Sequence, residues 1–409
     1  MVFQLQSERN ERAIPIFDMD NITNSPWGVL TGIRPAKIAT KLLLSGMTDS
    51  EAADYFAREY GAHIQKARLA VSVARAELPI RDAMYDDGVS IYIGIPFCPT
   101  RCLYCSFVTC GTRQAAKLTD KYIEMLKREI SYTAQILSEN CDRIETIYIG
   151  GGTPTTLSAK QLDELLAHIY SEFDLSSCRE FTVEAGRPDT VTEDKLLVLK
   201  KHNVTRISIN PQSMNSETLK IIGRAHTPEQ IEEAFALARK CGFDNINMDV
   251  IAGLPGENID MFKNTLNKVE SLSPENTTVH VMSIKRSSRL HEYLDKYTLP
   301  NSETVADMVG FAYEFLGSLG KHPYYMYRQK NQLGNLENVG YSKQGFDNLY
   351  NVYIMEEIQS IISLGCGGVT KTVDKKLDKI ERIFNVKEPQ DYIERIDEML
   401  KRKDVLRKD

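Results

Sequence analysis

Short runs of β-branched and other apolar residues alternate with longer stretches of helical period between about Val89 and Val281. The first helical stretch places Leu118, Tyr122 and Leu126 on one face, as an amphipathic helix requires. Strands that alternate with helices predict an α/β fold, with a parallel sheet and right-handed crossovers. The predicted strands are residues 90–95, 144–149, 180–185, 206–210, 245–251 and 276–281.

The regions on either side of this core, which we place at 89–290, have different patterns. Residues 1–88 are predicted to form a mainly helical accessory region, with helices at 35–45, 50–60 and 62–76 and a connecting loop at 24–33. Residues 291–409 are predicted to form an α/β extension. It contains a helix at 306–319, a strand at 324–329 and charged helices at 371–402. Two helix starts in the core have the spacing of capping boxes, Ser158 with Gln161 and Thr227 with Gln230.

Composition narrows the class of protein. The 409 residues are 42% hydrophobic and 26% charged, which is typical of a globular protein. The net charge of -6 argues against a surface that coats nucleic acid. Residues 1–12 lack the apolar core of a secretory signal, and no stretch approaches the ~20 apolar residues that a bilayer requires. We therefore expect a cytoplasmic protein without membrane or nucleic-acid partners.

The sharpest chemical signal is a cluster of cysteines. Eight cysteines are too few and too unevenly placed for an extracellular disulfide framework in a chain of this length. Cys98, Cys102 and Cys105 form a C-x3-C-x2-C run directly after the first predicted strand. This spacing should arise by chance only roughly 0.003 times in such a composition. Three thiolates without a nearby fourth ligand suit a [4Fe-4S] cluster with one open iron better than a closed zinc site.

The cysteine motif resembles that of the radical S-adenosylmethionine (SAM) enzymes. The resemblance implies a [4Fe-4S] cluster that binds SAM and, after one-electron reduction, cleaves it to a 5'-deoxyadenosyl radical. Three further motifs begin where predicted strands end: a Gly-Gly-Gly-Thr-Pro-Thr turn at 150–155, Glu184, and Gly-Leu-Pro-Gly at 253–256. Active sites of parallel barrels gather at the carboxyl ends of the strands. We therefore predict the radical SAM fold, a partial (β/α)6 TIM-like barrel, rather than an open sheet.

The resemblance narrows to the oxygen-independent coproporphyrinogen III oxidases, whose SAM-contacting positions match this chain. Residues 27–35, 183–189, 327–331 and 334–341 resemble the HemZ-type branch in particular, and the resemblance covers nearly the whole chain. The N-terminus is short for that branch, which leaves open an upstream segment. By resemblance, the SAM contacts, some of them with a second SAM, are Tyr92, Tyr104, Gly151, Gly152, Thr153, Glu184, Gln212, Arg224, Asp249, Ser283 and Val369.

The resemblance implies oxidative decarboxylation of two propionates of coproporphyrinogen III, giving protoporphyrinogen IX, with an electron donor such as flavodoxin or ferredoxin. Two alternatives stay open: a haem-binding chaperone with this fold, and a radical SAM enzyme for another tetrapyrrole. The oxidases carry a further cysteine two residues beyond the triad, where this chain has Phe107, which weakens the case for full activity. The chaperone branch carries a His-Asn pair where this chain has Asp347-Asn348, which disfavours the chaperone.

A tetra-anionic substrate requires local cations in a protein of net negative charge. Tyrosines of the strand at 324–329 either line the tetrapyrrole face or belong to the core, which is the commoner place for an aromatic strand. His226, beside a predicted helix cap, is either a functional residue or only a surface polar residue, and His280 is interpreted as a core residue more readily than a cavity residue. The candidate cations are Lys285, Arg286, Arg289, Arg113, Arg328 and Lys330, and the tyrosines are Tyr324, Tyr325 and Tyr327.

Overall fold

The computed structural model describes residues 25–30, 32, 34–107, 112–374, 377 and 379–408, with the backbone alone for 112–116. Within these residues, eleven strands form one mixed sheet. The strands are β1 (Gly88–Ile95), β2 (Arg143–Gly151), β3 (Glu180–Gly186), β4 (Arg206–Ile209), β5 (Ile246–Ala252), β6 (Asn276–Val281), β7 (His322–Tyr327), β8 (Asn338–Ser342), β9 (Ser360–Leu364), β10 (Val369–Asp374) and β11 (Lys379–Phe384).

Helices connect these strands and precede them. Three lie in the N-terminal region, and most of the others follow the strands of the core. They are α1 (Pro35–Leu44), α2 (Asp49–Tyr60), α3 (Ile64–Asp82), α4 (Thr112–Glu139), α5 (Ala159–Glu172), α6 (Glu193–Lys201), α7 (Ser216–Ile221), α8 (Pro228–Lys240), α9 (Ile259–Ser271), α10 (Arg289–Glu292), α11 (Ser302–Ser318), α12 (Leu349–Glu356), α13 (Pro389–Glu394) and α14 (Ile396–Lys403).

The six predicted core strands are confirmed as β1 to β6, and they pair in parallel in chain order. In β1 and β2 the register runs from Gly88 opposite Arg143 to Ile95 opposite Gly151. The carboxyl ends of both strands therefore lie side by side. This register brings the cysteine loop that follows β1 next to the glycine turn that follows β2.

Strands from residues 291–409 extend the sheet on both sides. The antiparallel pair β8 and β7 continues beyond β6, while β9 pairs in parallel with β1 and leads to β10 and β11. In the described part of the chain, β7 and β11 are the sheet edges, so the sheet does not close. A sheet that curves without closing is a partial barrel, so the predicted fold is confirmed. The domain boundaries at 88/89 and 290/291 stay a prediction.

The C-terminal prediction was partly wrong. Residues 371–402 were expected to form charged helices, but β10 and β11 form an antiparallel hairpin before α13 and α14 begin. Both strands mix charged residues with β-branched ones, such as Lys379, Glu381 and Arg382 beside Ile380 and Ile383. Every residue of β11 is exposed or only partly buried, as is common in an edge strand, and the charged composition obscured the strand.

The N-terminal helices agree with the prediction, except that the third runs on to Asp82 instead of ending at residue 76. The loop expected at 24–33 lies partly outside the described residues. Its described part buries Trp27, whose indole Nε1 donates to Glu337 Oε2 at 2.8 Å. This bond ties the N-terminal region to the turn before β8. None of the described helices is long and apolar enough to cross a membrane.

The predicted capping boxes are both present. Ser158 accepts from the Gln161 backbone N–H while the Gln161 side chain accepts from the Ser158 backbone, and Thr227 with Gln230 does the same. Each box satisfies backbone groups that the first helical turn leaves unpaired. The starts of α5 and α8 are therefore encoded locally.

Candidate active site

Polar and apolar side chains alternate along the core strands, and this alternation creates a polar cavity. In β3, Phe181, Val183 and Ala185 are buried in the hydrophobic core, while Thr182 and Glu184 line the cavity. Parallel strands buried on both faces are usually apolar throughout. The polar positions of β3 to β6 therefore mark the inner face of the barrel.

The cysteine loop lies at the mouth of this cavity, where Cys98, Cys102 and Cys105 all line the wall. Two backbone hydrogen bonds hold the loop. The Leu103 N–H donates to the Ile222 carbonyl at 2.9 Å, and the Leu290 N–H donates to the Leu103 carbonyl at 2.9 Å. Segments following β4 and β6 thus fix the loop from two sides. The structure brings the three thiols to one place, as the spacing predicts.

The chemistry of the three thiols fits a cluster. Burial raises the pKa of Cys98 to about 11, and burial also raises the pKa of Cys105. Three adjacent thiolates therefore need a positive partner, which iron supplies. In the described part of the chain, no three His, Cys, Asp or Glu side chains are placed to hold a single metal ion. A cluster makes a different demand, because each thiolate binds a different iron.

The glycine turn after β2 lies against the cysteine loop. The Gly152 and Thr153 N–H groups donate to the carbonyls of Ile95 and Phe97 at 2.7 and 2.8 Å. A Cβ on Gly152 would lie only 2.6 Å from the Phe97 carbonyl oxygen, so only glycine fits here. The Thr153 hydroxyl lies 3.5 Å from the Cys98 sulfur. The turn therefore presents backbone to the cavity directly beside the predicted cluster ligands.

Glu184 is an acidic group on the cavity wall, and its environment favours the protonated, uncharged carboxyl. Burial raises its pKa to about 7, and the nearby Asp249 carboxylate adds to the rise. The Tyr148 hydroxyl donates to Glu184 Oε1 at 2.6 Å and opposes the shift. A cationic ligand in the cavity would favour the ionised carboxylate.

A second polar group lies across the cavity on β5 and β6. Burial favours the protonated form of Asp249, but the neighbouring His280 ring and a hydrogen bond from Asn247 outweigh it and lower the Asp249 pKa. The Asn247 amide donates to Asp249 Oδ1 at 2.7 Å, and His280 Nε2 lies 3.6 Å from Asp249 Oδ2. The Tyr327 hydroxyl lies 3.4 Å from His280 Nδ1. The core placement favoured for His280 was wrong, because its ring faces the cavity.

Gln212 and Arg224 complete the wall beside the cysteines. Gln212 adopts a positive φ of 65°, an uncommon conformation for a non-glycine residue. Its N–H donates to the Asp249 carbonyl at 2.9 Å, and its own carbonyl accepts from Ile251 at 2.9 Å. The buried Arg224 guanidinium donates to the Asn210 carbonyl and faces Cys102. Arg224 thus places positive charge beside a predicted cluster ligand.

Comparison with known proteins identifies the family. The sequence matches the radical SAM superfamily over residues 92–269. It is 45% identical over 374 residues to the oxygen-independent coproporphyrinogen-III oxidase-like protein HemZ of Bacillus subtilis, covering 91% of this chain and 75% of that protein. The chain is a HemZ-type member of the radical SAM superfamily. Proteins of this family use a [4Fe-4S] cluster and SAM.

Other members are more distant from this HemZ-type chain. The heme chaperone HemW of Bacillus subtilis is 31% identical over 293 residues, which covers 70% of this chain and 73% of that protein. The solved structure of coproporphyrinogen III oxidase HemN from Escherichia coli matches with a TM-score of 0.62 at 23% identity, covering 80% of this chain and 73% of HemN. The HemN comparison shows the fold.

The structure brings most of the predicted SAM-binding residues together on the cavity of this HemZ-type protein, and their roles stay predictions. Three do not line it. Tyr92 stacks on Tyr148 with ring centroids 6.2 Å apart, the Ser283 hydroxyl donates to the Lys330 carbonyl at 3.0 Å, and the Val369 carbonyl accepts from Ser363. The predicted residues that line the cavity are Cys98, Cys102, Tyr104, Cys105, Gly151, Gly152, Thr153, Glu184, Gln212, Arg224 and Asp249.

The candidate cations for substrate are not where the sequence suggested. Lys285, Arg286, Arg289, Arg328 and Lys330 do not line the cavity, and the Arg113 side chain lies outside the described part of the structure. Arg328 is buried elsewhere: it donates to the Leu30 carbonyl at 2.7 Å and stacks on Trp27. The arginines that do line the cavity are Arg101, Arg187, Arg206 and Arg224.

Sequence reasoning missed Arg206 as a cavity residue, although its pattern carries a signal. Arg206, Ser208 and Asn210 alternate with Ile207 and Ile209, and all three polar side chains face the cavity. The same alternation in β5 and β6 could have identified Asn247 and His280 as cavity residues.

Two other expectations about side-chain placement are corrected. The surface interpretation of His226 is wrong, because the residue is only 4% exposed, and burial lowers its pKa to about 4. Tyr324 and Tyr325 are buried and Tyr327 is partly buried, as the core interpretation predicts, yet Tyr325 and Tyr327 also line the cavity. The start of α12 contributes Asn348 to the wall, which sequence reasoning did not anticipate.

Proposed function

We propose that this protein decarboxylates two propionates of coproporphyrinogen III oxidatively to vinyl groups, giving protoporphyrinogen IX. The observation that carries the proposal is a single cavity that joins the three cysteines to arginines and to an aromatic wall. The rings of Tyr325 and Tyr327 stack 6.4 Å apart with an interplanar angle of 11°. Arg187 and Arg206 line the same cavity. An anionic tetrapyrrole macrocycle needs this combination of apolar surface and positive charge.

Residues around the cavity mouth supply the cofactor site in this proposal. Cys98, Cys102 and Cys105 would hold the cluster, and the glycine turn with Glu184 would receive the amino acid part of SAM. When bound, the cluster and SAM supply a radical that removes a hydrogen atom from the β-carbon of a propionate. The substrate then loses CO2 and one electron for each vinyl group formed, so an electron acceptor is required as well as the donor.

The cavity arginines would receive the carboxylates that are not reacting. Arg206 donates to the Phe346 carbonyl at 2.9 Å, and it forms no ion pair with any described carboxylate within 4.0 Å. Arg187 is paired with Asp189 at 3.0 Å and donates to the Thr100 hydroxyl at 2.8 Å. Arg206 therefore has more spare charge than Arg187, and we expect it to contribute more to substrate affinity.

The test is an anaerobic assay of the cluster-loaded protein with reductant, SAM and coproporphyrinogen III. We expect 5'-deoxyadenosine and protoporphyrinogen IX together, measured by mass spectrometry. Cys102→Ala should abolish cluster binding and both products, while Cys241→Ala, outside the cavity, should leave them unchanged. Formation of deoxyadenosine with unchanged porphyrinogen would refute coproporphyrinogen III as the substrate, while still supporting the radical cleavage of SAM. A Cys102→Ala variant that is fully iron-loaded and active would overturn the site.

Haem binding is the second candidate, favoured by the similarity to HemW, which is named a heme chaperone. The structure supplies an argument against it at Asp347, which stands where the chaperone branch has histidine. Its carboxylate lies 2.9 Å from His322 Nε2, and this contact raises the His322 pKa. Because the Asp347 carboxylate and the His322 ring contact each other, both groups that could bind iron at this position are already paired. A stoichiometric Soret band, with no turnover of porphyrinogen, would favour the haem-binding function.

A further inference from the structure

Four cationic side chains converge on one carboxylate outside the cavity. The carboxylate belongs to Glu357, which follows α12 and has a largely buried side chain. Its Oε2 atom lies 2.9 Å from an Arg34 nitrogen and 3.8 Å from Lys37 Nζ. Its Oε1 atom lies 3.1 Å from an Arg382 nitrogen and 3.5 Å from Lys371 Nζ. These four cations, which we call the basic cluster, join the N-terminal region to the hairpin of β10 and β11.

The basic cluster carries more positive charge than its surroundings neutralise. Within the described residues, Glu357 is the only carboxylate that lies within 4.0 Å of any of the four cations. Glu356 lies close by beside Glu77, but burial raises the pKa of both carboxyls, so the pair does not hold two full negative charges. The Arg34 Nε atom is buried without a hydrogen-bond partner among the described residues. The cluster therefore has an unneutralised positive charge.

Two of the cations oppose each other across the hairpin. Lys371 of β10 is the register partner of Arg382 of β11. Like charges directly opposite each other destabilise an antiparallel pair of strands. Burial and the neighbouring Arg34 lower the pKa of Lys371, and Glu357 opposes this shift only in part. A further anion at this place would relieve the repulsion.

The amino end of α1 lies at the same place. Arg34 is the N-cap residue of α1, and the first turn of this helix contains no acidic residue. No side-chain hydrogen bond caps the helix, and the free N–H groups of a helix start favour anions. The side chains of Lys37 and Arg382 are 37% and 44% exposed, so a small ligand can reach the basic cluster from solvent.

We propose that the basic cluster binds a polyphosphate chain, either free or as part of a nucleotide. A compact anion with at least two negative charges matches the excess positive charge. The guanidinium groups of Arg34 and Arg382 suit phosphate oxygens, because each presents two parallel N–H donors, and the lysines add point charges. None of the four cations lines the cavity, so the site is separate from the cofactor site and does not depend on the proposed reaction.

The test is calorimetry of the full chain with pyrophosphate at low salt, with ADP in a parallel titration. Lys371→Gln with Arg382→Gln removes two charges of the basic cluster. The matched control, Lys240→Gln with Arg58→Gln, removes the same charge from exposed side chains elsewhere. Arg206→Gln tests whether pyrophosphate binds in the cavity instead. Circular dichroism checks that each variant is folded.

We expect the basic-cluster variant to bind pyrophosphate at least about tenfold more weakly than the wild type. The control variant and Arg206→Gln should bind pyrophosphate as the wild type does. A second variant, Glu357→Gln, keeps all four cations and removes the carboxylate that competes with the ligand. It should bind pyrophosphate at least about threefold more tightly, because the attraction between opposite charges increases. If the basic-cluster variant does not fold, the result for Glu357→Gln decides.

Four results would overturn the proposal. They are a wild type that does not bind pyrophosphate, an equal loss of affinity in the control variant, a loss of affinity in Arg206→Gln, and no gain of affinity in Glu357→Gln. Tighter binding of ADP than of pyrophosphate would support a nucleotide as the source of the phosphates. Equal or weaker binding of ADP would support a free phosphate chain.

Discussion

Glu184 should make the stability of the cofactor-free protein depend on pH. Its pKa is about 7 in the fold, against 4.5 for an ordinary glutamate, because burial disfavours the charge. The folded protein therefore binds this proton more tightly than the unfolded chain does. Below pH 4.5, Glu184 is protonated in both states and costs no stability. As the pH rises from 4.5 to 7, its contribution to the free energy of unfolding falls, and above pH 7 this contribution stays constant. A shift of this size corresponds to about 3 kcal/mol.

The perturbation is Glu184→Gln, which keeps the shape of the side chain and removes the titration. The free energy of unfolding of the cluster-free protein is measured in urea at several pH values, and the variant is subtracted from the wild type. We expect this difference to fall by up to about 3 kcal/mol between pH 4.5 and 8. Glu164→Gln, on the outer face of α5, is the matched control and should give a level difference.

The same titration should affect SAM. If Glu184 contacts SAM, as the resemblance implies, its ionised carboxylate should attract the cationic sulfonium. SAM affinity should then rise with pH through about 7 in the wild type and not in Glu184→Gln. A difference in unfolding free energy that stays level across pH 4.5 to 8 would refute the argument about burial. A SAM affinity with equal pH dependence in both proteins would refute the role of Glu184 in binding.

Three further predictions concern packing around the site. Gly152→Ala should cost about 1–3 kcal/mol and abolish SAM binding, because its Cβ would lie 2.6 Å from the Phe97 carbonyl; calorimetry with SAM and urea unfolding would test both. Gly310→Ala, in α11 with nothing within 4 Å of its Cβ, should instead raise the unfolding free energy by about 0.5–1 kcal/mol, and a loss would contradict the open space there. Lys403→Met should lower the free energy of unfolding by about 3–5 kcal/mol, because the buried Glu129 loses the cation that lies 3.2 Å away. Adding Glu129→Gln should restore part of that loss. If the effects of the two substitutions were simply additive, the two side chains would not be coupled.

Some of the fold was readable because it depends on local pattern. The six core strands and the capping boxes are encoded in short windows, and each was predicted within about two residues at its ends. The hairpin of β10 and β11 was missed because exposed strands carry charged residues on the solvent face. Composition alone then resembles a charged helix, and only the pairing partner separates the two.

Local sequence also determined where the three cysteines lie. The spacing of Cys98, Cys102 and Cys105 places three thiols in one loop whatever the rest of the chain does, and the glycine turn follows its strand in the same way. The tertiary structure decided which other side chains meet them. Arg206, His280 and the tyrosines of β7 are far apart in sequence, and whether each faces the cavity or the helices depends on the pairing register and the curvature of the sheet. Register and curvature depend on contacts between residues that are distant in sequence. The cations and aromatic rings of the cavity could therefore be identified only from the tertiary structure.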